Sequence, residues 1–99
     1  MTYKPNFINS DTEFLIEAIL KLENEDECYR FLEDICTVNE LHAIAQRIVI
    51  AKLLSENHTY QEIEAQTKAS TATISRINRS LKYGAGGYKL ALEKTTKQE

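Results

Sequence analysis

The chain has 99 residues, of which 42% are hydrophobic and 27% are charged, a balance typical of one small globular domain. Its net charge is −3, and no apolar run approaches the roughly 20 residues that span a bilayer, so the composition excludes a strongly basic or a membrane-spanning protein. The first residues lack the pattern of a signal peptide, and two cysteines are too few for a disulfide scaffold. We therefore expect a reduced protein of the cytoplasm.

The charge is divided unevenly along the chain. Residues 1–57 carry five basic and eleven acidic side chains, whereas residues 58–99 carry seven basic and four acidic ones. Between residues 65 and 92 every charged side chain is basic, and these are Lys68, Arg76, Arg79, Lys82 and Lys89. A stretch of one sign indicates a partner of the opposite sign. The alternative is a solvated helical face whose acids lie elsewhere in space.

Helical periodicity dominates the sequence, and strand signals are almost absent. Capping candidates at residues 9–11 precede an apolar stretch that predicts a first helix of about twelve residues. Residues 24–27 have the composition of a polar break. The apolar stripe from Cys28 to Ile35 then predicts a second short helix over 27–35.

The longest predicted helix begins at Thr37 and Glu40, which have the spacing of a capping box, and runs to about Glu56. Its segment Ile48–Ala51 is apolar on every side, whereas a surface helix of a small monomer would keep one polar face. Because so short a chain has little with which to cover both sides, we expect a homodimer whose partner covers the second face. The alternative is a single central core helix.

The segment 58–81 has the pattern of a helix-turn-helix. Thr59 caps a first short helix, with Glu62 as its capping-box partner. After a brief turn, Ser70 caps a second helix over 71–83. Apolar anchors hold the two helices together, and these are Ile63, Ala69, Ile74, Ile77 and Leu81.

The outward positions of this second helix are small, hydroxylic or basic. A helix that enters a major groove needs small residues for close approach, donors for base edges and cations for phosphates. A helix selected for stability alone would carry acids and fewer Ser and Thr residues, so an amphipathic hairpin without a ligand is the weaker alternative. The predicted DNA-binding residues are Gln61, Lys68, Thr71, Ala72, Ser75, Arg76 and Arg79.

Two positions depart from the common helix-turn-helix pattern. Glu64 stands where many such units have Ala in the first helix, and Lys68 stands where they have Gly in the turn. Lys68 therefore has to adopt a backbone geometry that glycine usually supplies. We also expect its side chain to reach a phosphate.

The organisation predicted for the chain is one domain in four parts. An N-terminal arm at 1–10 precedes dimerisation helices at 11–57, and the helix-turn-helix occupies 58–83. Residues 84–99 form a Gly-rich joint, a short C-terminal helix and a frayed polar tail. The glycines at 84–87 lack the Lys-Ser/Thr ending of a phosphate loop and read as a helix stop.

Other chemistry is not indicated by the sequence. Cys28 and Cys36, with His42 and His58 elsewhere, lack zinc-ligand spacing, so we expect buried thiols and no metal site. The acidic residues of 23–34 are not accompanied by a nucleophile or a histidine pair. We therefore expect that the protein is not an enzyme.

Several of these segments resemble the tryptophan repressor family. Ala72–Arg76, followed by Ser80 and Leu81, resembles the family's Ala-Thr-Ile-Thr-Arg segment and its Ser-Leu tail. Tyr60–Ile63 resembles its first helix-turn-helix helix, and Thr37–Arg47 resembles the entry into its long central helix. The resemblance covers about residues 37–92, and the Gly-rich ending before Tyr88 resembles a branch of uncharacterised bacterial relatives.

The resemblance implies an all-α fold of about six helices, with a helix-turn-helix, in an intertwined homodimer of the Trp-repressor type. It also implies two recognition helices in successive major grooves of a palindromic operator. The sequence therefore predicts a sequence-specific transcriptional regulator and repressor that binds double-stranded DNA through helix 71–83. The competing hypothesis is a helical protein-interaction module that docks on an acidic partner without sequence-specific DNA binding.

The resemblance also implies an effector site. In that family tryptophan is held by a Thr before the central helix, an Arg within it, and an Arg and a Ser on the recognition helix, which match Thr37, Arg47, Arg76 and Ser80. Ile77 stands where the family has Gly against the indole ring, and Asp34 and Cys36 replace apolar positions that close the pocket. We therefore predict that tryptophan is not the ligand. A different small-molecule effector stays open, and no cofactor is expected.

Overall fold

The computed structural model describes residues 3–97, with side chains as far as Thr95, and in this range six helices follow one another without a strand. They are α1 (Ser10–Leu20), α2 (Glu25–Ile35), α3 (Val38–Ser55), α4 (Tyr60–Thr67), α5 (Thr71–Tyr83) and α6 (Gly87–Lys97). None of these helices combines the length and apolarity needed to cross a bilayer. The all-α, six-helix prediction is confirmed. The outermost parts of the predicted arm and tail, 1–2 and 98–99, lie outside the described residues.

The chain forms two compact units that meet in sequence between Thr37 and Val38. The first contains α1 and α2, and the second contains α3 to α6. The predicted dimerisation segment, 11–57, therefore extends across the boundary between them.

Asparagine caps begin both helices of the first unit. Asn9 accepts a hydrogen bond from the backbone N–H of Thr12 at 2.8 Å, and the Thr12 hydroxyl accepts one from the Asn9 N–H at 2.9 Å. Asn24 accepts from the N–H of Glu27 at 2.9 Å, so α2 begins two residues before the predicted start and the predicted polar break is wrong in part. The reason is electrostatic, because three acids in the first turn complement the positive end of the helix dipole.

Neither helix of the first unit buries a residue. Phe14 and Leu20 are 71% and 76% exposed, although both are large and apolar. An open groove of about 510 Å³ is lined by residues of α1 and the segment before it, including Phe7, Ile8 and Ile16. The prediction of buried thiols is wrong for Cys28, which lies exposed on α2, while Cys36 is partly buried and both are free.

The second unit contains the core, which is aliphatic. Buried side chains from α3, α4, α5 and the turn between α4 and α5 pack together, and these are Ile50, Ala51, Ile63, Ala69, Ile74 and Ile77. Tyr88 and Leu92 of α6 pack partly buried against this cluster. Other apolar side chains of α3 are not covered, since Ile44 and Val49 are 54% and 47% exposed. Thus α3 buries part of its apolar surface in the core and leaves the rest exposed.

Candidate nucleic-acid interface

The candidate interface begins at the capped start of α4. The Thr59 hydroxyl accepts from the N–H of Glu62 at 3.1 Å, and the Glu62 carboxylate accepts from the N–H of Thr59 at 2.8 Å, which confirms the predicted capping box. The backbone hydrogen bond from Thr59, aided by the charge of His58, holds the pKa of Glu62 below its usual value. The charged form of this exposed carboxyl group therefore helps to begin the helix.

The turn after α4 is made by a residue in the left-handed backbone region. Lys68 has φ 62° and ψ 14°, and its N–H donates to the carbonyl oxygen of Glu64 at 2.9 Å. A glycine is the usual residue in this conformation because it has no Cβ to clash with the backbone. The Thr67 hydroxyl donates to the Ile63 carbonyl oxygen and accepts from the Ala69 N–H. Local hydrogen bonds therefore hold the turn in this shape, even though Lys68 adopts a backbone conformation that is unfavourable for a residue with a Cβ.

Two longer-range hydrogen bonds attach this motif to its surroundings. The Gln46 side chain of α3 donates to the Thr67 carbonyl oxygen at 3.0 Å. The Asn78 side chain of α5 donates to the Tyr60 hydroxyl of α4 at 3.1 Å. Both contacts are partly buried, so they restrain the angle and position of the two helices as well as their local shape.

The buried residues of α5 determine which of its side chains face outward. Ser70 caps the helix by accepting from the N–H of Thr73 at 3.2 Å, as predicted. Ile74 and Ile77 are buried in the core, and Leu81 on the same side is partly buried. Of the five predicted anchors, four are therefore buried and the last is partly buried.

The outward side of α5 presents the residue types predicted for it. Every predicted DNA-binding residue is exposed: Gln61, Lys68, Thr71, Ala72, Ser75, Arg76 and Arg79. Thr71, Ser75 and Arg79 recur at helical spacing along one line of α5, and Ala72 and Arg76 form the line beside it. The small residues lie at the N-terminal end of the helix and the arginines lie one to two turns later. Gln61 and Lys68 are exposed on α4 and the turn.

The same surface contains residues that the sequence analysis did not select. Lys82 and Tyr83 continue the two lines at the C-terminal end of α5, and Tyr83 is almost fully exposed. Their helical spacing from Arg79 was the available signal. Glu64 is the other addition, because its carboxylate Oε2 lies 3.2 Å from the Thr71 Oγ1 at the start of α5. No pattern in the sequence indicates this contact, since the two residues are on different helices.

The positions matched to the effector site belong to both units. Arg47, Arg76 and Ser80 are exposed in the second unit, and Thr37 ends the first unit. Ile77, between Arg76 and Ser80, is only 2% exposed and belongs to the aliphatic core. Among the described residues no group of His, Cys, Asp and Glu has the arrangement of a metal site.

The end of α5 is set by glycine. Gly84 is its C-terminal cap, and a Cβ at this position would overlap the carbonyl oxygen of Ser80. Gly86 has φ 84°, a conformation that favours glycine, and its carbonyl oxygen accepts from the Leu90 N–H in the first turn of α6. The glycines therefore stop α5, as predicted, and Gly86 also helps to begin α6.

Comparison with known proteins agrees with this geometry. The family model described as "Trp repressor protein" matches residues 10–96. The uncharacterized protein YerC of Bacillus subtilis (strain 168) is 48% identical over 85 residues, which cover 86% of this chain and 82% of that protein.

Solved structures extend the likeness to three dimensions. A TrpR-like protein from Eubacterium eligens has 49% identity and a TM-score of 0.85, with 89% of this chain and 91% of that chain covered. A second solved chain, from Staphylococcus aureus, has 44% identity and a TM-score of 0.85, with 90% and 89% covered. The chain therefore belongs to the Trp repressor family, a regulatory family that binds DNA.

Proposed function

We propose that the protein is a sequence-specific transcriptional repressor that binds a palindromic operator as a homodimer, with α5 of each copy in a major groove. The observation that carries the proposal is the outward face of α5, which is exposed, hydroxylic at its start and basic further on. The helix is firmly supported from behind by buried Ile74 and Ile77. A rigid helix with such a face has the donors and the close approach that base reading requires.

The residues of this face have different roles. Arg76, Arg79 and Lys68 bind phosphates or guanine edges, and their charges provide most of the affinity. Thr71, Ala72 and Ser75 lie closest to the bases and determine sequence preference, while Gln61 of α4 contacts a phosphate. The acidic residues of 23–34 belong to the first unit, whereas the predicted DNA-binding residues all belong to the second.

The homodimer is supported by apolar surface that one chain leaves uncovered. In the first unit α1 exposes nearly all of its large side chains, and in the second unit α3 exposes Ile44 and Val49 outside the core. Exposed apolar surface of this extent is typical of an interface. A second copy of the chain is the partner that also explains a palindromic site, because twofold symmetry in the protein requires it in the operator. All four predicted parts of the chain then belong to one dimeric domain in the cytoplasm.

Tryptophan is not the effector in this proposal. Ile77 is buried in the core, and it stands where the resemblance places a glycine against the indole ring, so its branched side chain would occupy the volume of the ring. Arg76 and Ser80 are then available for DNA. If an effector binds Thr37, Arg47, Arg76 and Ser80, it must be a molecule without a planar ring that would pack against residue 77.

The test of the proposal is selection of bound sites from a random DNA pool, followed by salt titration of the selected duplex. We expect a palindrome and a steep loss of affinity with salt. The double variant Arg76→Ala with Arg79→Ala removes four cations per dimer. Because each lost phosphate contact lowers the salt slope by about 0.9, the slope falls by up to about 3.6.

The matched control is Lys21→Ala with Lys52→Ala, which makes the same change in net charge at exposed positions outside α5. We expect the control to keep the selected sequence and most of the slope. If both double variants lowered the salt slope equally, Arg76 and Arg79 would not be part of the DNA interface. Weak binding without any selected palindrome would instead favour the protein-interaction module that docks on an acidic partner.

A further inference from the structure

Glu64 is an acidic residue at a place where a DNA-binding surface would be expected to avoid one. It lies in the last turn of α4, and its side chain is exposed. The contact between its Oε2 and the Thr71 Oγ1, at 3.2 Å, holds the carboxylate against the first turn of α5. The amino end of the proposed recognition helix therefore presents a negative charge, although α5 itself has no acid.

The Glu64 carboxylate should lower the affinity for DNA unless another interaction compensates for its charge. It is repelled by phosphates, and among the side chains of residues 3–95 no basic group forms an ion pair with it that would neutralise it. On the floor of the major groove, however, the exocyclic amines of cytosine and adenine are hydrogen-bond donors. A carboxylate at the tip of the helix can accept from such an amine.

The hydrogen bond between Glu64 and Thr71 restricts which base the two side chains can recognise. An ionised carboxylate has no hydrogen, so the Thr71 hydroxyl must be the donor in the Glu64–Thr71 bond. Both side chains then offer only lone pairs to a third group. Guanine and thymine present acceptors at this level of the groove, and adenine places the acceptor N7 beside its amine, whereas cytosine presents the N4 amine alone.

We propose that Glu64, oriented by Thr71, selects cytosine at one position of each operator half-site by accepting a hydrogen bond from its N4 amine. The inference rests on the proposed DNA-binding function and adds one specificity-determining residue and one base to it. The same carboxylate weakens binding to other sequences, because phosphate repulsion is not offset there.

The experiment compares sites selected from a random DNA pool by the wild-type chain and by Glu64→Gln. We expect the wild type to show a cytosine in each half-site. In the variant the preference for that cytosine falls by roughly 5- to 100-fold, the range of a specific base contact. Adenine gains at the same position, because a glutamine amide pairs with its N6 and N7 atoms.

Two further variants separate base reading from other effects. Glu62→Gln makes the same substitution two residues earlier, where the carboxylate is held by the Thr59 N–H, and it should leave base preference unchanged. Thr71→Val removes the hydroxyl that orients Glu64 and should weaken the cytosine preference, whereas Thr71→Ser should keep it.

The outcomes are distinguishable. If the wild type selects a palindrome and Glu64→Gln selects the same bases, Glu64 is only a structural partner of Thr71 and the inference fails while the proposed function stands. Equal gains in affinity for all sequences would also overturn it, because Glu64 would then act only by repulsion. If the wild type selects no sequence, the proposed function and this inference fail together.

Discussion

Helices α1 and α5 differ in how much of their apolar surface a single chain covers. The first has 11 residues and the second has 13, and an Asn or Ser side chain caps each at its start. The more apolar of the two, α1, buries no residue, whereas the more polar α5 has Ile74 and Ile77 in the core. The apolar content of a helix therefore indicates how much of its surface needs to be buried. Whether that surface is buried by the same chain or by a partner depends on the tertiary fold.

The two units differ correspondingly in what stabilises them. The second unit has its own core, and intrachain hydrogen bonds determine the turn between α4 and α5. The first unit has its caps but no buried side chain among the described residues. We expect the folding of the second unit to depend on contacts within one chain, and that of the first to depend on protein concentration through dimer formation.

The largest effect should follow from placing a charge on the apolar groove of the first unit. Ile16 lines that groove, and in the proposed homodimer Ile16→Asp would bury one carboxylate in each copy. Because burial of an unpaired charge costs several kcal/mol, the dimer dissociation constant should rise by roughly 100-fold or more. Analytical ultracentrifugation over a range of protein concentrations measures this change.

Two variants serve as references for that measurement. Ser10→Asp adds the same charge at the first residue of α1, outside the groove lining, and should leave the dimer intact. Ile74→Ala opens a cavity in the second unit and should lower the free energy of unfolding by about 2–5 kcal/mol. A chain that sediments as a monomer before any substitution would contradict the proposed homodimer.

A smaller effect is expected at the turn of the helix-turn-helix. Lys68 has a positive φ, so Lys68→Gly should raise the free energy of unfolding by up to about 1 kcal/mol per chain. The gain is local to the second unit and should therefore not depend on protein concentration. In DNA binding the same variant should lose one phosphate contact per copy, which lowers the salt slope by about 0.9 for each contact.

Lys68→Ala is the matched control, because it removes the charge and keeps a Cβ in the left-handed conformation. It should weaken DNA binding as much as Lys68→Gly without the gain in stability. Chemical denaturation and salt titration of both variants separate the two roles of this residue. Equal stability of the Gly and Ala variants would show that the backbone at this turn is not strained by a side chain.

The sequence was informative at most helix ends that are determined by local contacts. The starts of α1, α4 and α5 follow from side chains that cap the first turn within three residues, and Gly84 marks the end of α5. The exposed residues of α5 could also be predicted, because its apolar spacing defines one buried side. The start of α2 was missed because Glu25–Glu27 is equally typical of a loop and of an acidic first turn.

The remaining features depend on contacts between distant residues. Gln46 meets Thr67, and Tyr60 meets Asn78, only after the helices have packed. Cys28 has the spacing of a buried residue, yet its helix belongs to a unit without a core. Periodicity identifies the apolar face of a helix, but it does not identify which element or chain packs against that face.

The smallest predicted effect compares the capping boxes of α1 and α4. Asn9 and Thr12 do not titrate, whereas Glu62 has a lowered pKa, first because it accepts the Thr59 N–H and also because His58 Nδ1 lies 3.7 Å away. A group whose pKa is lower in the folded state stabilises the fold above its unfolded pKa of about 4.3 and loses that contribution as pH falls through the folded value.

Glu62→Gln should therefore be less stable than the wild type at neutral pH, and the difference should shrink as pH falls below the ordinary carboxyl range. Thr12→Val in the box of α1 removes a hydrogen bond without removing a charge, so its difference from the wild type should stay nearly constant. Thermal unfolding of the three proteins between neutral and acidic pH measures both trends. A pH-independent difference for Glu62→Gln would mean that its carboxylate charge contributes nothing to the start of α4, and the two boxes would then be equivalent.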